Sequence, residues 1–200
     1  SLTISPRELF FCPLNEQAFW IYPGLTKIRA FDIDGTKADI TRAAGDYTGT
    51  EDRIWYFTYL NGIAILTNNT DLPQFLAPAL SNDCADLTDW PAATYAKVIR
   101  SFKNFLVALD VTTASGRFGQ LVKWSSPADP NALPSAWTAA ATNLAGEFPL
   151  TKSVGTVLDC LPLGNANIVY KEDSVWVMNF VGGQSIFGFN PMFESFGLLA

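Results

Sequence analysis

Residues 54–66 read Ile54-Trp55-Tyr56-Phe57-Thr58-Tyr59-Leu60-Asn61-Gly62-Ile63-Ala64-Ile65-Leu66. A β-branched and aromatic run meets a second apolar run across Asn-Gly. A two-residue type I′ turn needs φ > 0 at both central positions, and Asn-Gly meets that need at the least steric cost. The stretch therefore predicts an antiparallel hairpin, with Asn61 and Gly62 as the structural turn.

The same grammar recurs downstream. Val98-Ile99-Arg100-Ser101-Phe102 leads through Lys103-Asn104 into Phe105-Leu106-Val107-Ala108-Leu109-Asp110-Val111. Asn104 is the expected left-handed residue of that turn. After Gly116 a further strand is expected at Gln120-Leu121-Val122-Lys123-Trp124. A third unit runs from Val157-Leu158-Asp159-Cys160-Leu161 through Gly164-Asn165 to Ile168-Val169-Tyr170. It turns at Glu172-Asp173 into Val175–Phe180, and again at Gly182-Gly183 into Ile186–Phe189. The three units start 44 and 59 residues apart. Propeller blades repeat at about 40–50 residues, so this spacing fits blades with an insertion in the second unit. Several strands are apolar on both faces, as a sheet covered on both sides requires. A β-sandwich satisfies the periodicity equally well.

The insertion, Ser125–Trp137, carries Pro127, Pro130 and Pro134. Three prolines exclude a central strand and predict a surface excursion. Ala139-Ala140-Ala141-Thr142-Asn143-Leu144 is compatible with one helical turn. Residues 1–50 are weakly periodic and punctuated by Pro6, Pro13, Pro23, Gly24, Gly35, Gly45 and Gly49. Their patches Leu9-Phe10-Phe11 and Phe19-Trp20-Ile21-Tyr22 suit short strands or an arm.

Composition narrows function by exclusion. The chain has 200 residues, 48% apolar and 14% aromatic, with only 16% charged and a net charge of −6. No Lys/Arg cluster offers the several phosphate contacts that a nucleic-acid grip needs. No apolar stretch reaches the roughly 18–20 residues of a membrane-spanning helix. Histidine is absent, which removes Ser-His-Asp, Cys-His and HExxH chemistry. Cys12, Cys84 and Cys160 are isolated and odd in number, so buried free thiols are expected rather than a disulfide framework or zinc site.

The sharpest catalytic motif is Phe31-Asp32-Ile33-Asp34-Gly35-Thr36. It resembles the first motif of haloacid-dehalogenase phosphatases, where Asp32 would be nucleophile and Asp34 general acid beside magnesium. That chemistry also needs a lysine, a later acidic pair and alternating strands and helices. Lys97 and Lys103 qualify only by type, and Asp83 and Asp86 sit in a loop-like segment. A Gly-containing turn with Asp side chains accepting backbone N–H bonds explains the same residues. As a calcium loop the motif fails, because Ala43 falls at the twelfth position where Glu is required. No catalytic, cofactor or metal residues are assigned, and the chain is not expected to be an enzyme.

Trp55, Trp124 and Trp176 fall within strand patterns and are expected in the core. Trp90 and Trp137 stand beside prolines and are expected exposed. Trp137 with Pro127, Pro130 and Pro134 forms the candidate subunit contact, since Trp is enriched at interface anchors.

Several stretches taken together carry a resemblance: Glu51-Asp52-Arg53-Ile54-Trp55-Tyr56, Arg100–Leu109, Val122–Pro130, Ile168–Glu172, Gly182-Gly183 and Phe187-Gly188-Phe189. Over residues 50–200 they resemble bacteriophage virion proteins that build β-propeller-containing tail nozzles in short-tailed phages. The resemblance implies an all-β fold of antiparallel propeller blades at 51–200, preceded by an N-terminal arm or small subdomain at 1–50. It implies a structural virion protein, assembled in the bacterial host cytoplasm and arranged as a ring of copies, six in such nozzles. That ring would sit below portal and adaptor and conduct DNA during ejection without sequence-specific binding. No cofactor is implied. The alternative is a receptor- or glycan-binding β module of a virion. Three repeats do not close a propeller, and residues 196–200 are apolar. The blade region is therefore expected either to continue beyond the chain or to be covered by copies or other tail proteins.

Overall fold

The structure, a computed structural model, describes residues 4–13, 18–52, 54–77, 82–183 and 185–198. Arg53 and the Leu199-Ala200 end lie outside the described residues. The described chain is all-β, without helices, and its sixteen strands form four antiparallel sheets of four. The first sheet holds β1 (Phe10–Cys12), β2 (Phe19–Pro23), β3 (Ile28–Asp32) and β4 (Lys37–Asp39). The second holds β5 (Tyr56–Leu60), β6 (Ile63–Thr67), β7 (Gln74–Leu76) and β8 (Ala85–Asp86). In the third are β9 (Tyr95–Phe102), β10 (Phe105–Thr113), β11 (Gly116–Trp124) and β12 (Gly146–Pro149). In the fourth are β13 (Val157–Leu163), β14 (Ala166–Lys171), β15 (Ser174–Phe180) and β16 (Phe187–Glu194). Strands pair in chain order within every sheet, so each sheet is a local meander, the arrangement of propeller blades.

The repeat therefore occurs four times, and the additional sheet lies in residues 10–39. Its strands span only three to five residues, and β4 is Lys-Ala-Asp. Segments this short give no alternation to read, and β4 is polar as well.

Residues directly opposite one another in an antiparallel ladder share a face. Leu66 packs with Phe10, Ile21 and Ala30 of the first sheet, while adjacent Ile65 packs with Leu106 and Ala108 of the third. Val107 and Leu109, flanking Ala108, face Val169, Trp176 and Met178 of the fourth. Each inner sheet thus has one face on its predecessor and one on its successor. This is why β6 and most of β10 are buried at every position. The four sheets stack in chain order, and the leading strands β5, β9 and β13 lie side by side. Side chains cross these seams: the Thr58 Oγ1 accepts from the Ser101 amide at 2.9 Å, and Thr67 Oγ1 donates to the Ala96 carbonyl at 2.7 Å.

The turns behave largely as the residues dictate. Asn61 and Gly62 both have positive φ, 51° and 87°, and join β5 to β6 in antiparallel register. Gly182 and Gly183 are also left-handed, at 70° and 72°. Between β9 and β10 the left-handed residue is Lys103, at 54°, one position before the expected Asn104. Residues 139–145 form a turn rather than a helix. Asn143 Oδ1 accepts from the Ala140 and Ala145 amides and so supplies the bonds a helical turn would have made.

The Pro-rich excursion folds back on its own chain. The Ala128 amide donates to the Asn104 carbonyl at 2.7 Å, and Asn61 Nδ2 donates to the Asp129 carbonyl at 2.9 Å. Trp137 is only 1% exposed and meets Trp90 edge-on, with ring centroids 4.5 Å apart. Trp137, expected at a subunit contact, is instead an intramolecular plug, and Trp90 is buried with it. Apolar area removed from water at the seam between the second and third sheets outweighs the local signal of the flanking prolines. Of those prolines, Pro134 is buried, Pro127 half-buried and Pro130 exposed. Trp55, Trp124 and Trp176 are buried.

Candidate functional site: a cross-sheet ion pair, a serine–lysine cluster and two apolar faces

Arg100, on β9, ties three sheets together. Its Nε and Nη2 donate to the two carboxylate oxygens of Asp159 on β13, at 2.8 and 2.6 Å. Its Nη1 donates to the Phe57 carbonyl on β5 at 2.8 Å, and the guanidinium lies 5.6 Å from the centre of the Tyr56 ring. Hydrogen bonding to Asp159 raises the Arg100 pKa above its ordinary value. Burial, reinforced by the Asp159 charge, raises that of Tyr56. A planar fork held bidentately fixes direction as well as distance, so this pair sets the angle between the leading strands.

A second polar cluster lies between the third and fourth sheets. Lys171, buried, donates from Nζ to the Leu150 carbonyl (2.7 Å), the Ser153 carbonyl (2.9 Å) and Ser153 Oγ (2.7 Å). Asp173 Oδ1 accepts from Ser153 Oγ at 2.8 Å, and its Oδ2 accepts from the Gly155 amide at 2.7 Å. Ser153, Asp173, Ser174, Trp176, Lys152, Glu194 and Ser195 line a cleft of about 420 Å³. A serine 2.7 Å from a lysine amine has the atoms of a nucleophile and base. Here, however, three acceptors surround one Nζ, the pattern of an ammonium with all its protons in use, and an ammonium is not a base. Burial lowers the Lys171 pKa, while Asp173 and Glu172 pull it back. The cluster pins residues 150–155 to the fourth sheet.

The Asp32 motif is a hairpin device between β3 and β4. Asp32 Oδ1 accepts from the Asp34 and Thr36 amides at 3.0 and 2.8 Å, and Gly35 takes φ of 82°. The three cysteines are free and buried, and burial pushes each thiol up to about 12. Among the described residues no three His, Cys, Asp or Glu side chains gather as metal ligands, and no helix is long and apolar enough to cross a membrane.

Among the described residues, no sheet packs on the outer face of the first or the fourth sheet. On the fourth sheet, the face away from the third carries the rows Leu161/Ile168/Val177/Asn190 and Leu163/Ala166/Asn179/Gly188. Leu161 is 50% exposed and Leu163 68%. On the first sheet, the face away from the second carries Phe11/Trp20/Phe31/Lys37. Phe11 is 46% exposed and Leu9, two residues before it, 56%. The sequence repeats lead to the expectation of an uncovered apolar side, but not to these residues, because which side of a sheet lacks a neighbour is a property of the stack.

No protein-family model matches the chain, and no curated protein matches it.

Proposed function

We propose that this chain is a structural module of a short-tailed bacteriophage tail nozzle, working as part of a ring through which DNA passes. The observation that carries the assembly half of the reading is the pair of apolar end faces on a stack of blade-like sheets. A repeat stack that is soluble alone caps its ends with polar residues. This one presents Phe11 at one end and Leu161 and Leu163 at the other. The virion half rests on the sequence resemblance across residues 50–200. Two further features support a conduit. The net charge of −6 disfavours adhesion of a polyanion. The cross-sheet ion pair at Arg100 stiffens the stack without leaving the guanidinium free for phosphate.

Disrupting the coding sequence in the parent phage tests this. The expected particles have filled heads, truncated tails and no DNA ejection. Particles with complete tails that fail only to adsorb would reject the nozzle in favour of a receptor-binding module.

A further inference from the structure

We propose that the cleft beside Lys171 binds a neutral sugar ring through neighbouring hydroxyls. Its volume, about 420 Å³, lies within the roughly 300–1,000 Å³ of small-molecule sites. Lys152 and Ser153 line it from the connection between β12 and β13, Asp173 from the turn after β14, Trp176 from β15, and Glu194 and Ser195 from the end of β16.

The floor is bonded and fixed. Ser153 Oγ accepts from Lys171 Nζ at 2.7 Å and donates to Asp173 Oδ1 at 2.8 Å. Trp176 Nε1 donates to Ser174 Oγ at 3.2 Å, which sets the indole plane. The chain after β16 is held against the same turn. Ser195 takes a left-handed φ of 77°, and the Leu198 amide donates to the Lys171 carbonyl at 2.9 Å. A Cβ at Gly197 would overlap the Glu172 carbonyl, so only glycine allows this approach.

The rim is different. Lys152 Nζ, the Glu194 carboxylate and the Ser195 hydroxyl bond to no polar group among the described residues, and all three residues are exposed. Lys152 and Lys171 balance Asp173 and Glu194, so the cleft favours a neutral ligand over an ion. A hydroxyl both donates and accepts. Neighbouring hydroxyls on one ring can therefore donate to Glu194 while accepting from Lys152, which neither a bare anion nor a bare cation can do. Trp176 is 4% exposed beneath Lys152, whose Nζ lies 6.0 Å from the ring centre. Moving that ammonium onto a ligand hydroxyl uncovers indole for the C–H face of the sugar. The proposal requires nothing of the DNA-conduit reading.

Titrating methyl glucoside, galactoside and mannoside into the nitrogen-15-labelled 200-residue chain tests it by amide and indole chemical shifts. At least one is expected to shift Lys152, Ser153, Glu194, Ser195 and the Trp176 indole saturably, with Kd of about 1 mM. Lys152→Met and Glu194→Ala are each expected to weaken that binding about tenfold, with the rest of the spectrum unchanged. If either misfolds, Lys152→Gln or Glu194→Gln replaces it. No saturable shift up to about 50 mM, shifts centred outside the cleft, or unchanged affinity in both variants overturns the proposal. So does a methyl glucuronide or glucosaminide that binds more tightly than every neutral sugar, because that result marks an ion site.

Discussion

Replacing Asp159 by Ala strands a guanidinium that three sheets share, and a double-mutant cycle with Arg100→Ala measures what the pair contributes. Two charge-assisted hydrogen bonds, at 2.8 and 2.6 Å, are lost. Breaking a fully buried pair by removing one partner costs about 3–5 kcal/mol, whereas exposed pairs contribute at most about 1 kcal/mol. Arg100 and Asp159 are 23% and 22% exposed in their side chains, which places the coupling between these limits, at about 2 kcal/mol. The two single variants should cost about the same, because Arg100→Ala also frees the Phe57 carbonyl and Asp159→Ala also frees the Cys160 amide. Urea unfolding followed by tryptophan fluorescence gives the four free energies, provided that m is unchanged across the set. A coupling below about 0.5 kcal/mol, the range of a solvated pair, would refute the claim that this contact fixes the leading strands to one another.

Gly62→Val should destabilise the chain by about 1 kcal/mol or more, read from the urea midpoint, because Gly62 holds φ of 87°; no change would remove the turn argument. Asn61→Ala should cost about 1 kcal/mol and speed proteolysis within 125–137, since Asn61 Nδ2 holds the Asp129 carbonyl. The Asp173 carboxyl resists burial but is lowered overall by the Gly155 amide, the Ser153 and Ser174 hydroxyls and Lys171. Its contribution is therefore complete above the ordinary value of 3.8 and is lost as pH falls through the lower folded value. Asp173→Asn should flatten the acid limb of the stability profile, and an unchanged limb would contradict the network. A thiol-reactive disulfide reagent at pH 8 should label none of the three cysteines in the native chain and all three in urea, since all three are buried and burial pushes each thiol up to about 12.

Local chemistry was legible where strands were long and turns specific. The hairpin at 54–66 and the meander at 157–189 follow from apolar runs meeting Asn-Gly, Gly-Asn and Gly-Gly. Of the first sheet, β1 and β2 were legible only as the apolar patches Leu9–Phe11 and Phe19–Tyr22, and the sheet itself was not, because Phe10–Cys12 and Lys37–Asp39 are too short to show a period. Turn handedness slipped by one residue at Lys103-Asn104, where the ladder between β9 and β10 sets the geometry and side-chain preference yields to it. Trp137 shows the larger limit. Its prolines indicate a surface excursion, which it is, but its burial depends on Trp90, which is distant in sequence. The Arg100–Asp159 pair is non-local for the same reason. Lys171 sits beside a turn correctly read at Glu172-Asp173, yet its acceptors at Leu150 and Ser153 come from another sheet's connection.

A density map of the intact particle tests the central claim most directly. The account predicts this chain in a ring around the DNA channel, below portal and adaptor, with sheets of neighbouring copies or neighbouring tail proteins covering Phe11 and Leu161. Density for the chain at the tips of peripheral fibres, or its absence from the particle, would contradict it.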